Sequence, residues 1–143
     1  MLRLVIDTNV LIAALIRKNT APYLLYKAWR DGLCELITSQ AQLDELERVM
    51  GYAKLKHYFS KQEAHEMLMG VATYSHRVLH LPTVHYSPDP DDNRILATAI
   101  AGKAHYIVSG DKGDMLALGK VKNIPIITAR QMAELLKVMP DPY

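Results

Sequence analysis

The sequence predicts an α/β protein whose central parallel sheet is covered by helices on both faces. Short apolar runs rich in β-branched residues alternate along the chain with amphipathic helical segments, as strands and crossover helices do. The runs are apolar almost throughout, the pattern of strands buried on both sides. Two of them, the first and the fourth, end in or lie just before an acidic residue, and the crevice of an open parallel sheet lies beyond the carboxyl ends of its strands.

"LRLVID" at residues 2–7 is the first strand, closed by Asp7. A helix follows from about Asn9 to Ile16, and "TAPYLLYKAWRDG" at 20–32 is a second, with Pro22 in its first turn and Gly32 as its stop. "LCELIT" gives the second strand, "SQAQLDELERVMG" a helix from Ser39 to Gly51, and "SKQEAHEMLMGVATYSHR" a longer one. "VLHL" at 78–81 reads as the third strand, "HYIVSG" at 105–110 as the fourth and "IPIIT" at 124–128 as the fifth, before a closing helix in "ARQMAELLKV". Pro-rich stretches at 81–90 and 139–143 read as a loop and a tail.

The helix before the fourth strand is the informative one. "SPDPDDNRILATAIAG" places three aspartates in four positions, 89–92, ahead of an apolar run. Ile95, Leu96, Ala99 and Ile100 mark one buried face. Asp92 lies three, four and seven positions before the first three of these and so falls on that face, whereas Asp91 falls off it. Capping accounts for Asp89 as N-cap, Pro90 at the first helical position and Asp91 in the first turn. A carboxylate directed at a core needs a positive partner.

Other acids map to the same sheet edge. Asp7 ends the first strand, Asp111 follows the fourth in "VSGD", and Asp114 comes shortly after. In the helix after the second strand, Leu43, Leu46 and Met50 mark the buried side, Glu45 and Glu47 flank it equally, and Asp44 points away. Taken singly, Asp7 is a helix cap, Glu45 a solvated residue, and Asp111 and Asp114 turn residues. Taken together, carboxylates meeting at one edge repel unless protonated or neutralised. The neutraliser that suits oxygen donors is Mg²⁺ or Mn²⁺, and the lack of Cys and His at ligand spacing argues against zinc. The six histidines read as ordinary surface or half-buried residues.

The 143 residues suit one domain, 1–143. A hydrophobic content of 50% argues against disorder, and the single Cys34 excludes an internal disulfide and fits a reducing cytoplasm. The longest apolar run, Val10 to Ile16, is far short of the roughly 18 residues of a membrane helix, so a cytoplasmic protein with no membrane partner is expected. A formal net charge of +2 hides a division, with a basic surface around an acidic hole. A receiver domain would have adjacent acids after the first strand, a phospho-accepting Asp after the third and a Lys after the fifth. This chain has "IDTN", "HLPT" and "IITAR" there. A dehalogenase-like phosphatase needs Asp two residues after the first, where Asn9 stands.

Four pieces together, "VIDTNVLIAAL" (5–15), "SQAQLDELERVM" (39–50), "DPDDNRILATAIAGKAHYIVSGDKGDML" (89–116) and the "IPIIT" ending, resemble the PIN-domain family and, within it, toxin-like ribonucleases of toxin–antitoxin pairs. The resemblance implies a three-layer sandwich with a five-stranded parallel sheet in the order 3-2-1-4-5. It implies that the family's four acids are Asp7, Glu45, Asp92 and Asp111, which decides between Glu45 and Glu47, with Asp114 as a further metal ligand. Thr8, Asn9 and Ser109 are implied to hold the carboxylates or waters. By the same resemblance the cofactor is Mg²⁺ or Mn²⁺, the substrate mainly single-stranded RNA, the products a 5′-phosphate and a 3′-hydroxyl, and the partners a small antitoxin and a second copy of the chain. One or two such ions suit phosphodiester hydrolysis because they activate water and stabilise the departing oxygen. Arg17, Lys18, Lys54, Lys56, Lys103 and Lys112 are candidates for backbone contacts with RNA. Tyr52, Tyr58 and Phe59 offer either base stacking or packing. The alternative is a non-catalytic PIN-fold module that binds RNA or protein.

Overall fold

In β1 (Arg3–Ile6) the side chains alternate between two cores, Leu4 and Ile6 on one face of the sheet and Val5 on the other. The computed structural model describes residues 1–111 and 113–140. After β1 come α1 (Thr8–Ile16), α2 (Ala21–Arg30), β2 (Glu35–Ser39), α3 (Gln40–Met50), a 3₁₀ turn (Ala53–Leu55), α4 (Lys61–Tyr74), β3 (His76–Val78) and α5 (Pro90–Gly102). The chain continues through β4 (Tyr106–Val108), α6 (Met115–Leu118), β5 (Lys120–Val121), β6 (Ile124–Ile127) and α7 (Ala129–Leu135). Helices α1, α2, α3, α4 and α7 cover the Leu4 and Ile6 face, while α5 and α6 cover the Val5 face. The result is the three-layer α/β sandwich that the alternation predicts.

The sheet has the order β3-β2-β1-β4-β6-β5, with every pair parallel except β5 with β6. The expected order 3-2-1-4 is present, but the sheet has six strands rather than five and one edge is antiparallel. The sixth strand is only two residues, Lys120–Val121, and turns into β6 through Lys122 and Asn123, both at positive φ (44° and 68°). A two-residue turn of that kind normally advertises itself as Asn-Gly or Asp-Gly, so Lys-Asn gave no hairpin signal. The third strand lies two residues earlier than expected, at His76–Val78 rather than 78–81. As an edge strand paired only with β2, it needs no apolar run, and the apolar Leu79 beyond it is 81% exposed.

Local chemistry sets the helix ends. Thr20, Ser39 and Asp89 cap α2, α3 and α5 by accepting from Tyr23, Gln42 and Asp91 backbone N–H groups. Ser60 with Glu63, and Thr128 with Gln131, form reciprocal capping boxes on α4 and α7. Gly32, at φ 82°, ends α2 as expected, with Leu33 N–H donating to the Ala28 carbonyl and Gly32 N–H to that of Trp29. At the end of α5 the left-handed residue is Lys103 (φ 53°), not Gly102. Gly102 serves close approach instead, because a Cβ there would stand 2.5 Å from Ile37 Cγ2 of β2. Helix α5 therefore lies tightly on the strand, which fixes where its first turn, with Asp92, is presented. Among the described residues no helix is long and apolar enough to cross a membrane.

Candidate metal centre

The site begins where β1 and β4 end side by side. Ile6 pairs with Val108, and Asp7 N–H donates to the Val108 carbonyl at 2.8 Å, so Asp7 and Ser109 leave the sheet as neighbours. Ser109, fully buried, donates its hydroxyl to Asp7 Oδ2 at 3.0 Å and accepts from Asp111 N–H at 3.1 Å. Asp111 then folds the loop around its own carboxylate: Oδ1 accepts from the N–H groups of Gly113 and Asp114 at 3.1 and 3.3 Å. Its carbonyl accepts from Leu116 and opens α6.

Asp92 enters from the first turn of α5 and is 8% exposed. Its Oδ2 accepts from the Ser87 hydroxyl at 3.0 Å, and Ser87 itself is held by Asn93, which accepts from Tyr86 and Ser87 N–H and donates to the Ser87 carbonyl. Glu45 comes from α3, half-buried, with Oε1 accepting from the buried Thr8 hydroxyl. Below this, Gln42 donates to the Ile6 carbonyl and accepts from Thr38, while the hydroxyls of Ser39 and Thr98 pair at 2.8 Å. These buried bonds tie α3 to β1 and to α5, and so fix Glu45 relative to Asp7 and Asp92.

Asp92, Asp111 and Asp114 can each turn one carboxylate oxygen into a group spanning no more than 4.8 Å. Asp7 lies beside this trio, and its charge acts on both Asp92 and Glu45. Burial, followed by neighbouring carboxylates, raises the pKa of all three of these acids against the hydrogen bonds that lower it. Asp92 is pushed up to about 6 and Glu45 to about 7, and Asp7 is raised above its ordinary value. The charges acting on Asp7 and Asp92 are those of other aspartates, Asp89 and Asp111 among them. Such a set of hard oxygen donors with surplus negative charge fits Mg²⁺ or Mn²⁺.

Asp7, Glu45, Asp92, Asp111 and Asp114 come together, with Thr8 and Ser109 bonded to two of them. Glu47 is exposed, beside the groove between α3 and α4, and Asn9 is exposed next to the site. Lys56 and Phe59 line that groove, and Lys54 Nζ lies 5.9 Å from the Tyr52 ring. Lys18 reaches the start of α4, where its charge acts on Glu63, and Arg17 is exposed at the end of α1. Lys103 is at the opposite end of α5 from Asp92, about 16 Å away at 1.5 Å per residue, with its carbonyl bonded to Arg3. Lys112 lies outside the described residues. All six histidines are exposed. Sequence reasoning missed Ser87, Asn93, Gln42, Thr98 and the field of Asp89. Ser87 stands in the loop before α5 and Asn93 in its first turn, where the bond between them across the cap leaves no periodic signal, although both belong to the quoted "SPDPDDN".

A family model described as PIN domain matches residues 3–113. No curated protein sequence matches the chain. Among solved structures, the fold is similar to the crystal structure of VapBC2 from Rickettsia felis bound to a DNA fragment from their promoter, with a TM-score of 0.58 at 14% identity over 89% of this chain and 98% of that one. At that identity the likeness is one of fold. The family match spans β1 to the Asp111 turn and contains Asp7, Glu45, Asp92 and Asp111, stopping one residue short of Asp114; the chain belongs to the PIN-domain family.

Proposed function

We propose that the protein is a metal-dependent endoribonuclease that hydrolyses phosphodiester bonds of single-stranded RNA, as the toxin of a toxin–antitoxin pair. The observation that carries this reading is the convergence of Asp92, Asp111 and Asp114 beside the buried Asp7. Oxygens bound to one Mg²⁺ at about 2.1 Å lie at most about 4.2 Å apart, so the trio needs only small side-chain movements to hold an ion. Asp7 and Glu45 complete the cage.

The chain's own groups then have distinct tasks. Asp92, Asp111 and Asp114 hold the ion, and Ser87 and Ser109 aim Asp92 and Asp7 by donating to one oxygen of each. Glu45, with Oε1 engaged by Thr8, keeps Oε2 free to orient the attacking water and accept its proton. Water would be the attacking group, so the reaction needs no side-chain nucleophile. A bound Mg²⁺ or Mn²⁺ would supply positive charge for the scissile phosphate and lower the pKa of water.

The toxin reading is supported by the resemblance of the acid-bearing motifs to toxin-like ribonucleases and by the fold shared with VapBC2. It carries with it residues 1–143 acting as one domain in the cytoplasm, a homodimer, and a small antitoxin as partner. The test is incubation of purified protein with labelled single-stranded RNA in Mg²⁺ or Mn²⁺, beside EDTA and Asp7→Asn controls. Cleavage that requires metal and is lost in the variant is the expected result. RNA bound but never cut, across substrates and both metals, would leave a binding module instead.

A further inference from the structure

The acid site has a basic rim. Asp91, one residue before Asp92, receives two guanidiniums: Arg48 of α3 on Oδ2 at 2.9 Å and Arg94 of α5 on Oδ1 at 2.8 Å. They come from the two helices that deliver Glu45 and Asp92. Arg48 stands three residues after Glu45, on the same side of α3, and its charge acts on Glu45. Tyr52 and then Asp91 favour the charged form of Arg48. Tyr52, 41% exposed, carries Lys54 near its ring. Arg94, Arg48, Tyr52 and Lys54 thus form a strip that leads away from the acids.

Stability does not explain this arrangement. The side chains of Arg48 and Arg94 are 53% and 56% exposed, and ion pairs so wet contribute only about 0–1 kcal/mol. The pairs instead orient their guanidiniums. Each gives one terminal nitrogen to Asp91, and an arginine has five N–H donors in a rigid fork, so most of each fork is left for solvent or a ligand. Two cations on one carboxylate leave a surplus positive charge beside an acidic site that would otherwise repel a polyanion.

We infer that this strip is the track of the RNA strand flanking the cut: Arg48 and Arg94, held by Asp91, contact backbone phosphates, and Tyr52 stacks on a base. This rests on the ribonuclease reading and adds to it the residues that seat the substrate. Arginine donors to phosphate fix position and carry the salt dependence of binding, and an aromatic face accepts any base.

The test is steady-state cleavage of a labelled single-stranded RNA at increasing KCl by wild type, Arg48→Gln, Arg94→Gln, the two corresponding Lys variants and Tyr52→Ala. Each Gln variant is expected to raise KM about tenfold with kcat within about twofold. Each should also flatten the plot of log kcat/KM against log salt by about 0.7. The Lys variants should restore the slope, and Tyr52→Ala should raise KM without changing it. Wild-type cleavage with unchanged KM and slope in the Gln variants would overturn the track while leaving the nuclease intact. So would a fall in kcat and metal affinity alone, which would make Asp91 with its two arginines a strut for Glu45. If wild type neither cuts nor binds RNA, the ribonuclease reading itself fails.

Discussion

At the scale of single residues, the site is a set of carboxylates held against their own preference for separation. Because folding raises the pKa of Asp7, Glu45 and Asp92, the folded chain without metal prefers them protonated. The contribution of Glu45 and Asp92 to stability is therefore fully present below the unfolded values near pH 4 and is lost as pH rises through about 6 to 7, and that of Asp7 changes in the same direction. In EDTA the melting temperature should fall across that window. In Mg²⁺ the fall should shrink, and metal affinity measured by calorimetry should rise from pH 5 to 8 as protons cease to compete. A melting curve in EDTA insensitive to pH over that window would contradict this. Ser109→Ala and Ser87→Ala remove a hydroxyl from an acid without touching its charge, and each should weaken metal binding about 10-fold or more. Asp7, Asp92 and Asp111 were pointed to by strand ends and one helix face, whereas periodicity left Glu45 undecided against Glu47. Ser87 could not be found in this way, because what matters is its bond to Asp92 across a loop.

At the scale of elements, α5 is the lever that carries Asp92. Its close seat on β2 depends on Gly102, so Gly102→Ala must push Ile37 or lift the helix. A loss of about 1–3 kcal/mol in a denaturant titration is expected, together with weaker metal binding, since Asp92 sits on the same rigid rod. An unchanged midpoint would show that the strand yields instead. Gln42 ties α3 to the last residue of β1. Gln42→Leu leaves the Ile6 carbonyl and the Thr38 hydroxyl without that partner, a cost of about 1–3 kcal/mol, measurable in the same titration. Helices α3 and α5 were legible to within a residue or two, whereas α4 and α7 end three residues before the expected segments do, α4 because the chain there turns into β3. The four-residue α6 and two-residue β5 were not legible, because pieces so short owe their form to neighbours, α6 to Asp111 and β5 to its pairing with β6.

At the scale of the whole molecule, an ion bound in the proposed cage would stabilise the fold. Any ligand that binds only the native chain raises stability by RT ln(1 + [L]/Kd), about 2.7 kcal/mol at a hundredfold excess over Kd. Mg²⁺ should therefore raise the melting temperature of the wild type and have little effect on Asp92→Asn. In EDTA at pH 8 that variant should melt above the wild type, because one repelling charge is gone. A variant that melts lower and still responds to Mg²⁺ would remove Asp92 from the cage. Alternation made the class readable, a parallel sheet with helices on both faces, while the strand order came with the family resemblance. The antiparallel edge was the part that alternation could not supply.

That edge has a further bearing on how the molecule meets others. At one margin of the sheet stands the two-residue β5, and at the other the three-residue β3, with His76 and Arg77 exposed. Neither offers the long row of free backbone groups on which another chain could be templated as an added strand. A partner that joined by strand addition would find little backbone to pair with at either margin, so the proposed antitoxin is expected to be recognised mainly through side chains.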